Sequence, residues 1–131
     1  MNLTLALLAD DANSSGGKLN ILGVFDQIVS EGFPALHRSC TLVLRFEVGV
    51  ADRGQTKQVM VQYRSEDGAL LAQIESEIQV ASEPDALTFS IDNILRLQDL
   101  PIPSPGQYSF HILVNGEERQ RATFRATIGA D

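Results

Sequence analysis

Leu42, Leu44, Phe46 and Val48 alternate with Val43, Arg45 and Glu47, and this period of two recurs in run after run along the chain. Side chains in a strand point alternately to opposite faces, so each run reads as a half-buried strand. No stretch of eleven or more residues sustains a helical stripe. Strand runs begin at Leu3, Leu19, Thr41, Val59, Leu70, Leu87, Tyr108 and Ala122, with turn residues between them. About eight short strands with frequent turns point to an all-β fold, a two-layer antiparallel β-sandwich. The run "LNILGVFDQIVS" is apolar on both faces, which predicts a central strand. "DNILRLQDLPIPSP" is expected to be irregular, with one helical turn at "NILRL".

Two hairpins are legible. Val59, Val61 and Tyr63 face Leu70, Ala72 and Ile74 across Asp67-Gly68. A two-residue loop pairs Tyr63 with Ala72 and Val61 with Ile74, so a tight primed turn without a bulge is expected. Tyr108, Phe110 and Ile112 face Ala122, Phe124, Ala126 and Ile128 across Asn115-Gly116. There a strict two-residue loop would bring arginines onto the core face. A three-residue loop, Val114-Asn115-Gly116, pairs Phe110 with Gln120 and Tyr108 with Ala122 and keeps the arginines outside, with Gly116 as the bulge residue.

The 131 residues suit a single domain spanning residues 1–131. Cys40 has no second cysteine to pair with, so the core and not a disulfide must hold the fold; a reducing, cytoplasmic setting follows as the expectation. The net charge of −7 disfavours nucleic acid and anionic membranes as partners. "LTLALLA" resembles a short secretory core, but no Lys or Arg precedes it and Asp10-Asp11 follow at once, which argues against removal. No apolar run approaches the roughly 20 residues that a spanning helix needs.

"PGQYSF" places Tyr108 at the entry to the penultimate strand, two residues before the inward Phe110. Immunoglobulin-like domains carry a tyrosine corner at that place, so the sandwich is expected to be immunoglobulin-like. "LALLADDANSSGGKLNILGVFDQI", "FPALHRSCTLVLRFE" and "PGQYSFHILVNGE" together resemble a family of short uncharacterised bacterial proteins, over nearly the full length. The resemblance implies a stand-alone cytoplasmic β-sandwich. It implies no reaction and carries over no functional residues.

Motifs for chemistry are sparse. Asp11, Asn13, Ser15 and Gly16 sit at the offsets of the first half of a calcium loop, but Leu22 stands where that loop needs a bidentate acid, so a plain turn is expected. Asp10, Asp11, Asp52 and Asp85 could share one end of an up-and-down sandwich, as in calcium-dependent membrane-binding domains; acidic loops are ordinary on so acidic a chain. One Cys and two separated His give no zinc spacing. Cys40 reads as core. His111 lies on the outer face of a strand, solvated or paired, and a triad could be assembled only in space. No cofactor, metal or catalytic residue is assigned, and a non-enzymatic protein-interaction module, a small adaptor or subunit, is the expected function. A small-ligand or glycan-binding sandwich is the alternative.

The loops at 31–39, 66–68 and 92–106 are expected to share one end. Two of them are unusually apolar, which places Phe33, His37, Leu100 and Ile102 in or beside a partner site unless they fold inward as a plug. The opposite end, with "DDANSSGG", "DRGQ" and "SEPD", is expected to be solvated and dispensable. Val43 and Leu113 are expected to be partly exposed on strand faces, which together with open sheet edges suggests a homodimer.

Overall fold

The computed structural model describes residues 1–82 and 87–129. Its strands are β1 (Asn2–Ser15), β2 (Lys18–Phe25), β3 (Gln27–Ser30), β4 (Ala35–Val48), β5 (Thr56–Arg64), β6 (Leu70–Gln79), β7 (Phe89–Ile102), β8 (Gly106–Val114) and β9 (Glu117–Ile128), with one 3-10 turn at Val50–Asp52. They form two sheets, in the orders β2-β1-β4-β7 and β3-β9-β8-β5-β6. The all-β, two-layer expectation therefore holds, with nine strands among the described residues where about eight were counted. One pair departs from the antiparallel rule: β3 runs parallel to β9.

Alternation builds the core. Leu42, Leu44, Phe46 and Val48 of β4 face Val59, Val61 and Tyr63 of β5 and Phe110 and Ile112 of β8, all at most 2% exposed. Aromatic rings fill the space between the sheets: Tyr63 stacks on Phe110 at 4.7 Å and Tyr108 on Phe124 at 5.3 Å. Their hydroxyls, which would be costly to bury unpaired, each find backbone. Tyr63 Oη donates to the Pro101 carbonyl across the sandwich at 2.8 Å. Tyr108 Oη donates to the Ser104 carbonyl at 2.6 Å and accepts from the Ser104 N–H at 3.1 Å, which is the expected tyrosine corner.

Four expectations are corrected. "LNILGVFDQIVS" is not central. It breaks at Asp26 and supplies an edge strand to each sheet, β2 and β3, so its second apolar face, with Leu22, Val24 and Val29, points to solvent. "DNILRLQDLPIPSP" is not irregular, because most of it belongs to the 14-residue β7, paired to β4 along its length. Asp99 takes φ 52. Leu97 faces inward before it, and Leu100 and Ile102 face inward after it. A single left-handed residue thus flips the parity and hides the strand from a period-two reading.

The two hairpins exchange their expected turns. The Asn115-Gly116 loop has just two residues, both at positive φ, with Val114 opposite Glu117. The extra residue sits in β9 instead, so Phe110 pairs with Ala122 and Tyr108 with Phe124, and the arginines stay outside. The Asp67-Gly68 hairpin pairs Tyr63 with Ala72 and Val61 with Ile74 as expected, but its register shifts at Arg64. Gly68, at φ 87, closes a wider turn in which Ser65 N–H donates to the Ala69 carbonyl at 3.0 Å.

The fourth correction concerns the ends. The turns at 31–34, 65–69 and 103–105 do share an end, and the β1–β2 turn is not opposite to them as expected, because β1 runs antiparallel to β4 and so climbs toward the end where β4 begins. At the other end Asp52 is not solvated: it is 8% exposed and receives the Met1 ammonium at 3.0 Å, Lys57 at 3.1 Å and the Gly49 N–H at 3.0 Å. The Gly49 N–H, and then the ammonium and Lys57, outweigh the opposing effect of burial and hold its carboxyl down at about 2. Asp10 and Asp11 lie in β1, far along the strand from this end, so the aspartates do not share one; Asp85 lies outside the described residues.

Replacing Asp52 by Asn leaves a buried ammonium without its counter-charge. We expect a loss of about 3 kcal/mol in denaturant unfolding. A carboxyl pKa depressed in the folded state stabilises fully above the unfolded value near 4 and loses that contribution as pH falls toward 2. The wild-type protein should therefore lose more stability than the Asn variant between about pH 4 and pH 2.

Candidate functional site

Leu100 and Ile102 are 5% and 1% exposed, in β7, and belong to the core. His37 pairs with Leu100 and Ala35 with Ile102 in the β4–β7 ladder, while Phe33 is half-buried against the same cluster. The His37 ring lies 6.0 Å from Phe25, and its Nε2 is buried without a hydrogen-bond partner among the described residues. The structure does bring these four side chains to one end of the sandwich. Leu100 and Ile102 plug it, which corrects their placement in an exposed loop.

The second sheet carries on its outer face a constellation that the sequence concealed. Ser109 Oγ lies 2.9 Å from His111 Nε2, and His111 Nδ1 lies 2.6 Å from Glu118 Oε1. Ser109 and His111 share a face because they are two residues apart in β8. Glu118 reaches them from β9, across the hairpin. The bond to His111 comes first among the causes that hold the Glu118 carboxyl below its usual range, and Arg121 adds to it. Nucleophile, base and orienting acid thus stand in triad order.

The row nevertheless lacks what acyl transfer needs next. An oxyanion requires unpaired N–H donors aimed at it. β8 is paired on both sides here, with Ser109 opposite Arg64 and Thr123 and His111 opposite Gln62 and Arg121. Of the guanidiniums opposite the row, Arg64 is engaged by Gln62 Oε1 at 3.0 Å and by the Gly68 carbonyl at 2.8 Å, and Arg121 by Glu118 Oε2 at 3.3 Å. Cys40 offers no nucleophile either: burial pushes its thiol up to about 11, and it is 2% exposed.

A different opening lies between the sheets, on the side where β6 and β7 are both edge strands. Tyr63 Oη to Pro101 ties the sheets together above it, and a long Asn93 to Ser76 contact of 3.5 Å approaches across them below. Between these ties a cavity of about 270 Å³ reaches Val61, Ile74, Leu97, Leu100 and Phe110, with exposed Ala72 at its mouth. The charged side chain in its lining is Arg96; Glu75 and Glu77 of β6 stand opposite Met60 and Gln58 on the outer face of that sheet. The nearby Arg96 is spoken for by Asp11 and the Ala12 carbonyl.

Among the described residues no group of three or more His, Cys, Asp or Glu side chains could hold a metal ion. Asp11, Asn13 and Ser15 are occupied within the β1–β2 hairpin and by Arg96, since Asn20 donates to Asn13 Oδ1 at 2.9 Å and to Ser15 Oγ at 3.1 Å. No described helix is long and apolar enough to cross a membrane.

A family of unknown function (DUF6941) matches residues 4–127. The chain belongs to that family. No curated protein matches the sequence. Among solved structures, the chain is similar to Pseudomonas fluorescens alkylpurine DNA glycosylase AlkC, bound there to DNA containing an abasic site analog, with a TM-score of 0.50 and 14% identity. The match covers 96% of this chain and 30% of that one. A glycosyl hydrolase family 2 member from Bacteroides cellulosilyticus matches at a TM-score of 0.38 and 7% identity, over 70% of this chain and 13% of its own. A family 2 beta-glucuronidase matches at 0.39 and 12% identity, over 67% and 9%. The chain thus spans less than a third of each, and what the first likeness shows is the fold.

If the Ser109 row is structural, a fluorophosphonate probe at neutral pH leaves Ser109 unmodified. Hydrolysis of p-nitrophenyl acetate should then be the same for wild type and Ser109→Ala. An adduct on Ser109 by mass spectrometry, lost in His111→Ala, would show that the row is a working triad.

Proposed function

We propose that the protein is a non-enzymatic interaction module that takes an extended segment of a partner protein at the opening between β6 and β7. The observation that carries this reading is the apolar cavity between two free sheet edges. Backbone groups on an edge strand are available to a further strand, and an adjoining pocket can take one of its side chains, as in recognition by strand addition. A volume of about 270 Å³ exceeds the roughly 150 Å³ that holds a benzene ring, so an aromatic or branched aliphatic anchor fits. A glycan is a poorer fit, because the aromatics nearest the cavity, Tyr63 and Phe110, are 2% and 1% exposed and offer no stacking face.

A displayed library of random peptides selected against the protein tests this. We expect an apolar anchor residue within a strand-forming segment, with amide shifts on binding concentrated at Ala72, Ile74, Leu97 and Gln98. Ala72→Arg closes the mouth at an exposed position and should weaken the selected peptides at least about tenfold, a loss near 1.4 kcal/mol. Peptides that shift other surfaces, or that bind the folded Ala72→Arg protein unchanged, would refute the site.

A further inference from the structure

The outer face of the β2-β1-β4-β7 sheet is apolar where the outside of a two-layer sandwich is ordinarily polar. Its middle row is Leu7, Val43 and Ile94, paired across β1, β4 and β7. Val43 is 0% exposed yet stands apart from the core cluster, since Leu42 and Leu44 on either side point inward. Its expected partial exposure is therefore corrected, and the side chains that shield it are neighbours on its own face. The row on one side is Leu5, Arg45 and Asp92, and the row on the other is Ala9, Thr41 and Arg96. Val24, 62% exposed on β2, extends the second row beyond Ala9.

We propose that this face is the interface of a homodimer, with a second copy seated on it face to face. Two features of charge select that occupant. Each charged side chain in these rows has its counter-ion nearby: Arg45 Nε binds Asp92 Oδ1 at 2.7 Å, and Arg96 binds Asp11. The three rows together with Asp11 sum to zero charge, with Glu47 exposed in the next row of β4, so most of the chain's net −7 lies elsewhere and this surface meets a second copy with little of the repulsion that acidic surfaces would bring. The pattern is also self-complementary. Along β7 the outward residues read Asp92, Ile94, Arg96. A twofold axis along the Leu7–Val43–Ile94 row lays that row on its copy and sets Asp92 of each chain over Arg96 of the other, which is what an isologous contact requires.

The contact is small. Strands about 4.8 Å apart with a rise of about 3.3 Å per residue give a footprint of roughly 400 Å² per copy, and with Ala9, Thr41 and Val43 at most 2% exposed the area withdrawn from water is at most roughly 800 Å² for the pair. That falls short of the about 1,200 Å² at which stable interfaces begin, so the dimer is weak and depends on concentration.

Sedimentation velocity from about 1 μM to about 500 μM spans the affinities such an interface reaches. We expect wild type to pass from monomer to mostly dimer across that range. Ile94→Glu should remain monomeric throughout. Arg96→Glu, which sets like charges face to face, should weaken the dimer at least tenfold. Ile128→Glu, on the other sheet and 65% exposed, should leave it unchanged. Should Ile94→Glu fail to fold, Arg96→Glu decides, because the Arg96 side chain is 58% exposed and its ion pair contributes little to stability. A wild-type monomer at every concentration overturns the proposal. So does a dimer that survives in the folded face variants, or one that Ile128→Glu weakens as much.

Discussion

The aromatic stack between the sheets is the contact on which the other features depend. Tyr63, Phe110, Tyr108 and Phe124 come from β5, β8 and β9 of one sheet, and together they fill the layer that the aliphatic rows of β4 and β7 close from the other side. Their area supplies much of the drive for burial. Their two hydroxyls convert a non-directional contact into a located one. The Tyr63 bond to Pro101 fixes how far apart the sheets stand on the β6–β7 side, and the Tyr108 bonds to Ser104 fix how the chain enters β8. The apolar cavity between the free edges is what remains of that spacing where β6 presents Ala72 in place of a larger side chain.

Charge is distributed with a similar economy. An ion-pair cluster withdrawn from water, around Asp52, ties the start of β1 to the turn after β4 and the start of β5. On the first sheet the arginines lie flat over small residues: Arg96, opposite Thr41 on β4, reaches as far as Asp11 and Ala12 on β1. Such exposed pairs contribute little stability, but they leave a largely apolar face on an otherwise acidic molecule. On the second sheet Ser109, His111 and Glu118 form a polar row that satisfies itself. One chain thus presents three distinct surfaces: a largely apolar face with paired charges, a hydrogen-bonded polar face and an open edge with an apolar cavity.

Single residues with unusual backbone angles decide where these surfaces fall. Asp99 at φ 52 turns Leu100 and Ile102 inward, and so converts what reads as an exposed apolar loop into a plug. Gly23 at φ 73 admits the Asp10 carboxylate where any Cβ would collide with it at 2.3 Å, in the edge strand just before the chain changes sheets. The extra residue in β9 keeps Arg121 and Arg125 outside while Ala122 and Phe124 stay inside.

Period-two alternation was enough, from the sequence alone, to establish an all-β sandwich, the Tyr63–Ala72 register and the inward rows of β4, β5, β8 and β9 apart from Ile128, which is 65% exposed, while the "PGQYSF" run pointed to the tyrosine corner at Tyr108. All of these follow from local rules: which face a side chain takes, and which side chains water rejects. What only the tertiary structure decided is long-range. That β2 and β3 are edges of different sheets depends on where strands dock, since an apolar second face reads alike whether a neighbour covers it or not. That Asp52 is buried depends on Met1, 51 residues away, and that Ser109 and His111 meet Glu118 depends on a one-residue bulge in the partner strand. Alternation records which way a residue points; it carries no record of what lies opposite, and opposition is what sites and interfaces are made of.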